Sequence, residues 1–334
     1  MLFISLFMLL VAFSSKGLSL KEEISLTNES LFKYFSKDRI KVDLTQSQNN
    51  LSISKRLNGF GLNLFKAISS DSQNQNLFVS PFSLSIGTLM VYFGARGETA
   101  KQLKKLLGLN GLSTDDILKL NRDQIIDLNL NDEYGLFYLK SSNKLFLNKS
   151  TIIPFTYERV LKEYFKIDLE RVNFKDTFMS ANVINDWVKH ETNGTISKLV
   201  EPSELKEETK MVIVNAIYLK ALWFNPFQIK DTVKEDFKLA SGDTIKVDMM
   251  KKFDVRLNYF SNPGGIRAKA VNLWFMMGTA SLAIILPEPD VDIKEIENSL
   301  SIDVVNYLML NTESYSSVNL SLPKFKVESE SEVY

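Results

Sequence analysis

Few residues in this chain can do covalent chemistry. There is one histidine, His190, and no cysteine, which excludes a thiolate nucleophile, an iron–sulfur cluster, Cys-ligated zinc and any multi-histidine metal site. His190 falls in a stretch of helical periodicity with no nucleophile pattern beside it, so it reads as a solvent-facing helix residue rather than a general base. No Gly-x-Ser-x-Gly elbow, His-Glu-x-x-His helix, P-loop or EF-hand loop occurs. Gly59-Phe60-Gly61 begins like a dinucleotide fingerprint, but Leu64 stands where the third glycine belongs and no strand precedes it. The chain therefore reads as a non-enzyme without metal or cofactor.

Charge narrows the partners as well. Lys+Arg and Asp+Glu balance at 40 each, leaving no bulk field to draw in a nucleic acid. Lys101, Lys104 and Lys105 could form a patch for a sulfated polysaccharide, but at i, i+3 and i+4 they more simply solvate one helix face, and glycosaminoglycan binding is not expected. The residue out of place is Asn215, an amide in the apolar run Met211 to Leu219. Burying such a group without a partner costs about 1–3 kcal/mol, so something must bond to it. Ser80 and Ser83, at a helix start, are candidates because a hydroxyl there can cap the helix and still reach a neighbouring strand. On these residues alone, a purely structural polar cluster and a functional one are both open.

The elements that must position Asn215 are legible in outline. Leu57, Phe60, Leu64 and Ile68 fall at helical spacing; Ser80-Pro81 offers an N-cap and a first-turn proline ahead of Ile86, Leu89, Met90 and Phe93. Leu103, Leu106 and Leu107 predict a third helix stopped by Gly108, and Pro154 to Phe165 and Met179 to Leu199 predict two more. Met211 to Leu219 is apolar on both alternating faces, as a central strand covered on both sides would be, and Ser281 to Leu286 reads as another buried strand. Helices first and strands accumulating later indicate an α+β fold. With 14 Gly and 8 Pro in 334 residues and no linker tract, one large domain over 56–334 is expected, preceded by a polar leader over 18–55. Leu2 to Phe13 is an uncharged apolar run of the length of a secretory signal core, so residues 1–17 read as a signal peptide and the mature chain as secreted, extracellular and free of the membrane. Asn28, Asn50, Asn148, Asn193 and Asn319 open Asn-x-Ser/Thr triplets that could carry glycans in that compartment.

The string Asn76 to Ser83, followed by Gly94-Ala95-Arg96-Gly97-Glu98-Thr99, resembles the helix B signature of the serpins and its exit turn. Ser142-Asn143-Lys144-Leu145-Phe146 resembles the family's second strand of sheet A. Ile184 to Val188 with Thr192 to Ile196 is similar to helix F and its exit, and Val214 to Trp223 with Asn225-Pro226-Phe227 to the third strand of sheet A and the turn after it. Val247 to Met250, Ile284 to Pro287 and Leu322 to Phe325 follow in family order. Leu273-Trp274-Phe275 departs from the family's usual Leu-Pro-Tyr, which puts little in doubt.

The resemblance implies about nine helices around three β-sheets and an inhibitor of serine or cysteine proteases. A protease cleaves an exposed bait loop, which then inserts into sheet A and carries the protease with it. It implies further that Ser80, Ser83 and Asn215 belong to the shutter beneath the opening sheet, and that Trp223 stands in the breach where insertion begins. After the Leu322 to Phe325 match a serpin usually continues for several dozen residues, whereas this chain stops at Tyr334. The chain as written is thus expected to lack the reactive loop and C-terminal strands and to be inactive on its own, inhibition belonging to a full-length form, with a non-inhibitory binding or storage role on the same scaffold as the alternative.

Overall fold

The computed structural model of the chain describes residues 44–71, 77–127, 130–131, 135–239, 242–278, 280–311 and 315–325. The apolar run Leu2 to Phe13, most of the leader, and Asn28 lie outside them. Helix α1 (Leu44–Asp71) begins inside the segment read as leader and buries Leu57, Phe60, Phe65 and Ile68. Helix α2 (Pro81–Gly94) starts where the Ser80-Pro81 pair says it should: Ser80 is the N-cap, its Oγ accepting from the Ser83 N–H at 3.3 Å. Ile86 and Met90 of α2 are wholly buried. Helices α3 (Gly97–Leu106), α4 (Thr114–Asp127) and α5 (Phe155–Phe165) complete the first core, in which Leu57, Leu89, Leu107, Leu145 and Phe165 meet. The buried Tyr157 hydroxyl of α5 donates to the Met90 carbonyl at 2.9 Å, tying α5 to α2.

The first sheet is built around β2 (Phe137–Asn148). One of its edges is shared by β1 (Leu130–Asn131), antiparallel, and β3 (Asp168–Val172), parallel; β4 (Met211–Ala221) runs antiparallel along the whole of the other. Phe137, Leu139, Asn143 and Leu145 of β2 are buried on one face, as strand periodicity requires. Helix α6 (Thr177–Glu191) lies across the opposite face and buries Ala181, Ile184 and Val188 against Phe146 and Val214. It ends at Glu191, short of the expected Leu199, because Asn193 and Gly194 take positive φ (49° and 78°) and the Gly194 N–H closes on the Lys189 carbonyl at 2.7 Å. Of β4 only Val214 and Ala216 are fully buried. Both its faces are covered, but among the described residues it pairs on one side alone.

The second sheet comprises β5 (Thr232–Lys238), β6 (Thr244–Ser261), β7 (Ala268–Trp274), β8 (Ser281–Pro287) and β9 (Tyr315–Pro323), all antiparallel. The 18-residue β6 serves two neighbourhoods, pairing with β5 through residues 244–250 and with β7 through 258–261. Strand β9 bridges them across a bulge between Lys252 and Val255. Where three sheets are expected, the described strands thus form two, because β6 is continuous through what would be the boundary. Helices α7 (Ile293–Ser299) and α8 (Ile302–Leu310) pack on β7 with Leu62 and Phe65 of α1. Among the described residues there are eight α-helices, and the α+β class read from the sequence holds.

Between β6 and β7 the chain turns through Gly264, whose φ is +60° and whose absent Cβ would overlap Cγ2 of the buried Val304. Both the backbone and the space demand glycine. Gly264→Ala is expected to destabilise the domain by about 1–3 kcal/mol, read as a lower urea midpoint at unchanged slope; an unchanged midpoint would show that α8 does not press on this turn.

Candidate functional site: the middle and head of the first sheet

The middle of the sheet holds a pair of amides. Asn215 Nδ2 donates to Oδ1 of Asn143, its register partner on β2. Ser80 and Ser83 bond to each other, Oγ to Oγ at 2.7 Å. The expectation that a serine would satisfy Asn215 is corrected here: its partner is Asn143, which sits 8% exposed on the adjacent strand. The signal for it was in the sequence, since Asn143 is itself an amide within a strand and the antiparallel register aligns the two. Asn215 Oδ1 is buried and accepts no hydrogen bond among the described residues. Helix α2 packs on β4, and Phe82, between the two serines, reaches both the helical core and the layer between the sheets.

On the other face, the last residue of α6 is pinned to β2. The Glu191 carboxylate accepts from Ser142 Oγ, from Lys140 Nζ at 2.9 Å and from Nδ1 of the exposed His190 at 3.0 Å. Burial alone would raise the pKa of Glu191, but the hydrogen bonds from Ser142, Lys140 and His190 outweigh it and hold the carboxyl below its ordinary value. The histidine thus faces solvent and helps anchor α6.

At the head of the sheet, Trp223 stacks on Phe275, with centroids 4.5 Å apart and planes inclined by 15°. Phe275 in turn meets Phe137 of β2 edge-on. The backbone is stitched across the two sheets here: the Phe224 N–H donates to the Trp274 carbonyl at 2.9 Å, and the Met276 N–H to the Leu222 carbonyl at 2.7 Å. The departure at Trp274 matters more than its place in the sequence suggests. Its indole N–H donates to Oδ1 of Asn258 at 2.8 Å, and Asn258 stands opposite Asn272, whose Nδ2 donates to the Leu308 carbonyl at 2.6 Å. Both amides are buried.

The acceptor triplets separate by exposure. Asn148 is 7% exposed and its Nδ2 donates to the Thr209 carbonyl at 3.0 Å, so the folded chain does not present it for a glycan. Asn193 and Asn319 are exposed, and Asn50 lies on α1.

What this arrangement can do is mechanical. A long strand is held along one edge, its middle carries a polar pair with a spare acceptor, and its head is joined to a second sheet by an aromatic stack. The sequence model of the Serpin (serine protease inhibitor) family matches residues 55–333. The chain belongs to the serpin family. It is 32% identical over 278 residues to leukocyte elastase inhibitor A of Mus musculus, an alignment covering 80% of this chain and 71% of that protein. Among solved structures it is similar to cleaved kallistatin in complex with heparin, at 30% identity and a TM-score of 0.75, covering 83% of this chain and 80% of that one. Emu (Dromaius novaehollandiae) ovalbumin shares the fold, with a TM-score of 0.77 at 23% identity, covering 82% and 74%. In this serpin Asn215 of the expected shutter lies midway along β4, Ser80 and Ser83 lie at the start of α2, and Trp223 of the expected breach lies just past the end of β4.

Asn143→Ala and Asn215→Ala are each expected to destabilise the serpin domain by about 1–3 kcal/mol by orphaning the other amide, whereas the double variant, which leaves no orphan, should cost less than their sum. Additive urea-denaturation losses would refute the pair. Because the folded pKa of Glu191 is depressed, its contribution is present above the unfolded carboxyl range of about 4.3 and lost as pH falls through the lower folded value. Glu191→Gln should flatten the acid limb of a stability-against-pH curve, and an identical limb in both proteins would remove Glu191 from the anchor.

Proposed function

We propose that this serpin is a secreted inhibitor of serine proteases that works by strand insertion into the first sheet. The observation that carries the reading is β4: eleven residues long, paired on one side among the described residues, with Asn215 Oδ1 lacking a partner midway along it. An open strand edge of this length is a template for another strand. Filling it would add a ladder of backbone hydrogen bonds and bury apolar side chains, which is a source of free energy for displacing a bound protease. A fold that gains such a ladder only after cleavage is held beforehand by a kinetic barrier rather than by being the lowest state. The family description, and the elastase inhibitor among the relatives, support a serine protease as the partner. Export rests on the apolar run Leu2 to Phe13.

The test uses the protein recovered from the medium of the cells that make it. Its N-terminus should lie near Leu18. Incubation with trypsin-like, chymotrypsin-like and elastase-like proteases should yield a complex with at least one of them that survives denaturing electrophoresis. Cleavage by every protease without a resistant complex would refute inhibition, and an intact Met1 in the medium would refute signal removal.

A further inference from the structure

Lys252 is a buried cation with an unusual set of partners. It stands on β6 at the edge of the bulge and is 9% exposed. Its ammonium donates to Asn225 Oδ1 at 2.8 Å and to the Pro226 carbonyl at 2.7 Å, and lies 4.8 Å from the centroid of the Phe227 ring. No carboxylate pairs with it among the described residues, whereas its neighbour Lys251 pairs with Glu235. Among the described residues, these contacts of the head group fall on three consecutive residues, which form the turn by which the chain leaves β4 and Trp223 for the second sheet. Burial pushes the ammonium below the usual lysine range, the expected response of a charge that has given up water for neutral acceptors.

An apolar side chain would fill the same space without that desolvation. What the ammonium adds is direction: two hydrogen bonds to a charged donor and a cation over an aromatic face fix where the turn can sit. Asn225 and Pro226 are themselves exposed, so little packing from outside holds them. We propose that Lys252 is a positioning residue for strand insertion, a clasp that fastens the 225–227 turn to the second sheet and so fixes the end of β4 at which the first sheet must open. Its role in insertion rests on the inhibitory reading above; the clasp itself does not.

Hydrogen exchange by mass spectrometry on the full chain separates the two. In Lys252→Met, which keeps the length and apolar shaft, amides of 222–227 should exchange roughly tenfold faster, the scale set by hydrogen bonds to a charged group. Those of α2 should be unchanged. Lys252→Arg should recover most of the protection. If Lys252→Met does not fold, Asn225→Ala removes one acceptor at an exposed position and should give a smaller, equally local rise. Unchanged exchange in the turn, or an equal rise throughout the protein, overturns the clasp. The second measurement is the partition of protease between trapped complex and cleaved inhibitor. Lys252→Met should shift it and Lys252→Arg restore it; a shifted turn with an unshifted partition overturns the role in insertion. A wild-type protein that traps nothing refutes inhibition, while exchange still decides the clasp.

Discussion

The antiparallel register between β2 and β4, from Phe137 opposite Ala221 to Leu147 opposite Met211, is the constraint on which the rest of the molecule depends. A slip of one residue would turn every β4 side chain to the other face. Val214 would leave the core beneath α6, and Asn215 would leave Asn143. The register also sets where β4 ends, and therefore where Trp223 meets Phe275 and where the two sheets join. Helices on one side and α6 on the other read their positions from this one pairing.

The same pairing explains why polar groups are tolerated inside the sheet. An amide opposite an amide satisfies itself across the ladder, so the pair costs little while the strands stay together and becomes costly when one strand moves without the other. The Glu191 cluster acts similarly on the far face, coupling the end of α6 to β2 through Lys140 and Ser142. Strands β2 and β4 and helix α6 therefore behave as one unit, and the outer edge of β4 is the boundary at which that unit can meet another strand.

How much of this the sequence reveals depends on whether the determinant is local. Ser80-Pro81 and Gly108 mark helix ends by their own backbone preferences, and Asn215 announces itself because an amide in an apolar strand needs a partner. Asn143 as that partner depends on register, which no single segment contains. The end of α6 at Glu191 was missed because the apolar periodicity continues past it, while Asn193 and Gly194 act through positive φ rather than through hydrophobicity. That the described strands join into two sheets is hidden for a related reason: β6 is long enough to pair twice, and a strand's partners do not show in its own pattern. The weight of Trp274 was likewise hidden. A tryptophan beside a strand end reads as bulk until Asn258 is seen to take its indole proton.

Lys252 and Trp274 hold the same turn, one through its ammonium on Asn225 and the Pro226 carbonyl and the other through the backbone carbonyl that receives the Phe224 N–H. Both place polar contacts where an apolar seam would be cheaper to bury. Apolar contact grips in no particular direction and weakens gradually as surfaces slide, whereas hydrogen bonds hold one geometry and fail over a short displacement. A joint made this way stays shut against small fluctuations and opens as a unit once displaced. That is the behaviour the strand insertion proposed above would require at the head of the sheet, since a joint that yielded gradually would let β4 separate before any strand had arrived to replace its contacts.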